Sequence, residues 1–103
     1  MSESGFIAVL VIDLHFPDAA SLKGKRKELA SIKAQLHGRL GLAVAEVAHQ
    51  DRWQRARLTA ALTGGSLGTL AAAADNVERS LLARCPDGVR VQRTLASVED
   101  LEP

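Results

Sequence analysis

The chain has 103 residues, which suits a single domain, and 47% of them are hydrophobic, which is enough for a packed core. The formal net charge of +1 excludes a gross electrostatic commitment to nucleic acid or to a membrane surface. Cys85 is the only cysteine, so no disulfide can form within the chain, and we expect a reducing cytoplasm. The start, MSESGF, lacks the basic region of a signal peptide, and the apolar run FIAVLVI is far shorter than the ~20 residues of a membrane-spanning helix.

The first half of the chain predicts a strand and a basic helix. Residues 6–16 are apolar on both faces as far as Asp13, which is typical of a central strand. Ser21 can cap a helix running to about residue 37, with an apolar stripe at Leu22, Leu29, Ile32 and Leu36 and the lysines off that stripe. Residues 21–40 carry six basic residues against one acid, a local net charge of +5. This segment is either a solvated helix face or an anion-binding surface.

The second half predicts three more strands and a second helix. The strands are expected at 42–47, 56–63 and 89–96, and the helix starts at Ser66 and ends at residues 86–88. An acidic tail over about 97–103 is expected to fray. The order β-α-β-β-α-β predicts a single ferredoxin-like α+β domain over residues 1–103, with strand order 4-1-3-2 and both helices on one face.

The connection after the second strand, within EVAHQDRWQRARL at 46–58, is unusual because only Asp51 belongs to the common turn residues. A βαβ crossover makes strands 1 and 2 run in the same direction, so this connection shares one sheet edge with the end of strand 1 and the start of helix 1. The edge is therefore our predicted partner-binding surface. Its residues are Lys23, Lys25, Arg26, His49, Gln50, Asp51, Gln54 and Arg55.

Each candidate group at this edge has two interpretations. Trp53 can stack on a base or close the end of the core, and we favour the structural role. Gln54 and Arg55 can contact a base edge or phosphate, or brace the hairpin. His49 and Asp51 can form an acid–base pair, and with His15, Asp13 and Glu46 they offer metal ligands, but no spacing is diagnostic. We therefore predict no catalytic residues, no metal and no cofactor, and favour a protein that is not an enzyme.

The sheet face that the helices leave open is expected to carry an apolar strip of Ile7, Val9 and Val11. This face has no exposed aromatic residues, which disfavours RNA recognition by bases stacking on a sheet surface. Because large apolar patches are rarely left exposed, we predict that these three residues form a homodimer interface.

Two motifs also carry a family resemblance. SLKGKR at 21–26 and VAEVAHQDRWQRARL at 44–58 resemble the YlxP-like family, a bacterial domain of unknown function whose usual pattern reads SLKEKR and HQDLWQRA. Gly24 and Arg52 depart from that pattern, so a role for a glutamate in the first helical turn does not carry over. The resemblance extends over essentially the whole chain and implies a ferredoxin-like fold and a small cytoplasmic bacterial protein. In some bacteria such proteins are encoded beside transcription-elongation, translation-initiation and ribosome-maturation factors, which implies an RNA or ribosome connection.

The preferred hypothesis is a non-catalytic binding protein associated with structured RNA or the ribosome in translation or ribosome maturation. A small-molecule-sensing regulatory homodimer is the alternative, on fold analogy alone. A hydrolase using His49 and Asp51 is the third. We expect no membrane partner and no reading of DNA sequence.

Overall fold

A computed structural model describes residues 3–86 and 88–101 of the protein. This part of the chain forms β1 (Phe6–His15), α1 (Leu22–Ala34), a π-helical segment (Gln35–Arg39), β2 (Ala43–Ala48), β3 (Arg55–Gly64), α2 (Leu67–Arg84), β4 (Val89–Ser97) and a 3₁₀ segment (Val98–Leu101). The predicted α+β order, β-α-β-β-α-β, is confirmed, and it is consistent with a ferredoxin-like fold.

The four strands form one antiparallel sheet in the order β2-β3-β1-β4, which confirms the predicted order read from the other edge. In β1 the side chains alternate between the two faces of the sheet. The even-numbered residues from Ala8 to Leu14 are buried, and the odd-numbered ones from Ile7 to Asp13 are only partly covered. The helices therefore pack on one face and leave the other open.

The core lies between the even-numbered face of the sheet and one stripe of each helix. Both stripes repeat at helical spacing, so burying them is the main source of helix stability. The buried apolar residues are Leu29 and Ile32 of α1, Leu36 and Leu42 after it, Leu70, Ala74, Val77 and Leu81 of α2, Ala8, Leu10, Ile12, Leu14, Ala56, Leu58 and Ala60 of the sheet, and Phe16 after β1.

Each helix begins at a serine cap, as predicted. Ser21 Oγ accepts a hydrogen bond from Gly24 N at 3.0 Å, and Ser66 Oγ accepts one from Thr69 N at 3.2 Å. The first helix continues beyond Ala34 as the π-helical segment, and the chain then turns at Gly41, which has a φ of +73° that favours glycine. Within residues 3–86 and 88–101, no helix has both the length and the apolar composition that a membrane crossing requires.

The expectation of a frayed acidic tail is wrong for residues 98–101. Val98 N donates to Gly5 O at 3.0 Å, and the Glu99 carboxylate accepts hydrogen bonds from the backbone N–H groups of Glu3 and Ser4. These bonds attach the 3₁₀ segment to the start of β1. Residues 102 and 103, and Asp87 in the predicted helix-ending turn, lie outside the described residues.

Candidate functional site

The connection between β2 and β3 lies against the end of β1, as the topology predicts. Phe16 N donates to Gln54 O at 2.8 Å, and the Gln54 side-chain Nε2 donates to Pro17 O at 3.2 Å. The bracing role considered for Gln54 is therefore present in the structure. These two hydrogen bonds hold the C-terminal half of the connection in a fixed position beside the sheet.

The expectation that Lys25 lies off the apolar stripe and binds a partner is wrong, because the residue is only 1% exposed. Its Nζ donates to the His49 carbonyl oxygen at 2.7 Å and lies 3.7 Å from Glu46 Oε2. Lys25 follows Leu22 by three positions and precedes Leu29 by four, which places it on the stripe that faces the sheet. That spacing is the sequence signal that could have identified Lys25 as an internal support of the connection.

His49 explains how the chain turns without glycine or proline. Its φ is +66°, and it is the only non-glycine residue with positive φ in the described part of the chain. Histidine is one of the few residues that tolerate this region comparatively often. The His49 carbonyl oxygen accepts from Lys25 Nζ and also from Arg52 N at 3.0 Å. The buried ammonium group therefore stabilises a turn that the local sequence alone does not favour.

The prediction that Trp53 closes the core is also wrong, since its side chain is 52% exposed. Phe16, only 5% exposed, belongs to the core cluster at this end of the sheet, so the Trp53 ring is not needed there. Trp53 instead lines a shallow depression of about 410 Å³ together with His15, Arg52, Gln54 and Arg55. An exposed aromatic ring in a depression that arginines also line is typical of a surface on which bases stack.

The remaining predicted binding residues lie on the surface. They are Lys23, Arg26, Gln50, Asp51 and Arg55, all exposed. Within the described part of the chain, no hydrogen bond or ion pair engages the side chains of these five residues. Their groups are free to meet a partner, and their binding role stays a prediction.

A second depression, of about 390 Å³, lies on the open face at the C-terminal end of β1. The strand register places Asp13 between Arg57 of β3 and Arg90 of β4, and it places His15 opposite Arg55. Arg57 Nε donates to Asp13 Oδ1 at 2.7 Å, and Arg57 Nη2 donates to Oδ2 at 3.4 Å. The hydrogen bond and the charge of Asp13 raise the pKa of Arg57.

Arg57 and Arg90 are not among the binding residues predicted from the sequence. The missing information was the register, because only cross-strand pairing shows that both arginines flank the same carboxylate. The available signal was an acid near the end of a central strand, with basic residues on both predicted neighbouring strands.

Gly88 lines this depression where the connection after α2 approaches β1. Its carbonyl oxygen accepts a hydrogen bond from His15 N at 2.7 Å, and a Cβ at this position would overlap with the His15 carbonyl group. Only glycine lets the connection after α2 lie so close to β1.

The groups considered for acid–base and metal chemistry can be located within residues 3–86 and 88–101. His49 and Asp51 form no side-chain hydrogen bond with each other in the described residues. Among the same residues, no three His, Cys, Asp or Glu side chains are grouped so as to hold a metal ion. The hydrolase hypothesis stays untested.

The predicted dimer strip of Ile7, Val9 and Val11 lies on the open face, where no helix covers it. All three side chains are partly exposed within the single chain. Their burial by a second copy stays a prediction.

Comparison with known proteins identifies the family. A family model described as a protein of unknown function (DUF503) matches residues 7–93. The chain belongs to this family. A search of curated proteins finds no match. Among solved structures, a de novo designed protein, Foldit4, is similar with a TM-score of 0.53 and 11% sequence identity, over 86% of this chain and 94% of that one. At this identity the DUF503 chain shares the fold alone with the designed protein.

Proposed function

We propose that this DUF503 protein is a non-catalytic RNA-binding protein that acts on structured RNA or the ribosome, in bacterial translation or ribosome maturation. The observation that carries the proposal is the half-exposed Trp53 ring, flanked by Arg52 and Arg55 on a braced connection. Exposing an indole ring to water is unfavourable, so a partner that covers it gains the free energy of burial.

The rigidity of the connection favours recognition over flexible contact. Lys25 holds its first residue, and the hydrogen bonds to Phe16 and Pro17 hold its last. A connection that is already held at both ends loses little backbone entropy when a ligand stacks on the ring it carries. The best-matched ligand is an unpaired base, because a base in an A-form duplex cannot present its face to a side chain. We therefore expect contact with loops, bulges or ends of structured RNA.

The exposed basic residues supply the second component of RNA binding. Lys23 and Arg26 in the first turns of α1 and Arg52 in the connection have exposed side chains. Cations near a stacking surface can contact phosphates and so release counterions. The net charge of +1 is compatible with RNA binding, since phosphate contacts depend on the local grouping of basic residues and not on the total charge.

The experiment uses Trp53 as its own reporter. It is the only tryptophan, so intrinsic fluorescence comes from this site. We expect RNA hairpins with unpaired loops to quench the fluorescence, whereas a fully paired duplex of the same length should have little effect. Anisotropy of labelled RNA gives the affinity independently of the tryptophan signal.

Trp53→Ala should weaken RNA binding by about 5- to 150-fold, the equivalent of the ~1–3 kcal/mol of one base–aromatic stack. Trp53→Phe should retain most of the affinity, since it keeps an aromatic face. The matched control is Leu82→Ala on α2, because Leu82 is 49% exposed and lies outside the site. Equal RNA affinity of Trp53→Ala and the wild type would refute the proposal.

A further inference from the structure

The end of the open sheet face gathers positive charge in a concave site. Among the described residues lining the 390 Å³ depression, three guanidinium groups stand against one carboxylate, a net charge of +2 with the histidines neutral. The arginines are Arg55, Arg57 and Arg90, and the carboxylate is Asp13. The volume is at the lower end of the ~300–1,000 Å³ of small-ligand sites.

The arginines differ in how far they are already engaged. Arg57 is held by Asp13 through two hydrogen bonds. The side chains of Arg55 and Arg90 have no hydrogen-bond or ion-pair partner in the described part of the chain. Both are exposed, and the register places Arg55 on β3 and Arg90 on β4, the two strands that flank β1. Two free planar donors facing one depression are suited to bidentate contacts with a tetrahedral oxyanion.

We infer that this depression binds the phosphate monoester of a nucleotide, and that its source is a terminal phosphate of the RNA. A monoester has three terminal oxygens and a charge near −2 at neutral pH, which matches the net +2 of the site. An internal phosphodiester carries only −1 and has two free oxygens, so it would leave part of the cluster unpaired. The choice of RNA as the source rests on the proposed function.

The two depressions are placed for one nucleotide. His15 and Arg55 line both the phosphate depression and the one beside Trp53. A terminal nucleotide can therefore put its base on the indole ring and its phosphate between Arg55 and Arg90, with no strand continuing beyond the phosphate.

The test compares three RNA oligonucleotides of one sequence, carrying a 5′-phosphate, a 3′-phosphate or hydroxyl groups at both ends. Adenosine monophosphate serves as the free-nucleotide probe. We expect one phosphorylated end to bind about tenfold or more tightly than the hydroxyl form. Tight binding of adenosine monophosphate without any preference among the oligonucleotides would instead identify a free nucleotide as the source and overturn the assignment to an RNA end.

Arg90→Ala should abolish the preference for the phosphorylated end and leave the affinity for the hydroxyl form nearly unchanged. The matched control is Arg79→Ala on α2, where the arginine is also exposed and without a partner in the described residues. Asp13→Asn provides a test in the opposite direction. It removes the carboxylate that engages Arg57, so the preference for the phosphorylated end should increase.

The failure of this inference can be told apart from failure of the proposed function. If the wild type binds all three oligonucleotides equally and ignores adenosine monophosphate, the phosphate site is refuted while RNA binding stands. If it binds adenosine monophosphate but no RNA, the phosphate site stands, the RNA proposal fails, and the small-ligand alternative gains support. A preference unchanged in both Arg90→Ala and Asp13→Asn would place phosphate recognition elsewhere and overturn the assignment.

Discussion

Replacing the buried Lys25 by methionine tests whether this residue supports the connection. Methionine keeps an unbranched apolar stem and removes the ammonium group, so Lys25→Met deletes the hydrogen bond to His49 O and the ion pair with Glu46. The gross attraction of the ion pair at 3.7 Å is about 4 kcal/mol at an effective dielectric constant of about 20. Burying the ammonium group costs several kcal/mol, roughly the same size, and methionine avoids that cost.

The two electrostatic contributions therefore cancel to first order, and the hydrogen bond determines the net effect. A hydrogen bond to a charged group contributes ~1.5–3 kcal/mol, so we expect Lys25→Met to lower the free energy of unfolding by about that amount. For a domain near 100 residues this corresponds to a fall in Tm of roughly 7–14 °C. Urea titration and thermal melting followed by circular dichroism measure both quantities.

Lys27→Met is the matched control, since Lys27 is exposed on the same helix, and its effect should stay within ~0.5 kcal/mol. A double-mutant cycle with Glu46→Gln isolates the coupling between the two side chains. If Lys25→Met were as stable as Lys27→Met, the reasoning about the support of the connection would be refuted.

Three further predictions concern the helix surface, the thiol and the open face. The double variant Lys23→Ala, Arg26→Ala should reduce the slope of log affinity for single-stranded RNA against log salt concentration by up to ~1.4 and leave Tm nearly unchanged. An unreduced slope would mean that this turn of α1 is only solvated and does not contact phosphates. Partial burial, with a smaller contribution from Glu28, raises the pKa of the Cys85 thiol and so lowers its thiolate fraction. At pH 8 iodoacetamide should therefore alkylate the folded protein more slowly than the urea-unfolded chain, and equal rates would contradict this. Val9→Asp should convert the predicted homodimer to monomers in light scattering, with Ala72→Asp on exposed α2 surface as the control, and a wild type that is monomeric at micromolar concentration would remove the interface.

The fold could be predicted from the sequence because its signals are local. Apolar alternation in strands, helical spacing in the stripes and serine caps at both helix starts each specify an element, and the right-handed crossover rule then limits the topology. The tail was mispredicted because its stabilising bonds join residues more than 90 positions apart, Glu99 to Glu3 and Ser4. Acidic composition alone carries no information about such contacts.

The candidate site was harder to predict, because residue type and environment pointed in opposite directions. Lysine is rarely buried and tryptophan is usually well buried, so composition favoured an exposed Lys25 and a buried Trp53. Both assignments reverse in the structure. For Lys25 the stripe spacing contained the correct answer, whereas for Trp53 the decisive fact is that Phe16 already occupies that end of the core.

The arrangement along β1 shows how one strand can serve several purposes without conflict. Its even-numbered residues build the core, and its odd-numbered residues change character along the open face, from the apolar Ile7–Val11 strip to Asp13 and His15. Val11 is the last apolar residue of the strip, and Asp13 is the next residue on the same face. A second copy packed on the strip therefore need not cover the arginine depression.

The charge is divided unevenly along the sequence: residues 21–40 carry a net +5, and the rest of the chain carries −4. A nearly neutral protein with exposed basic groups beside Trp53 and at the start of α1 should approach RNA with that edge facing the nucleic acid.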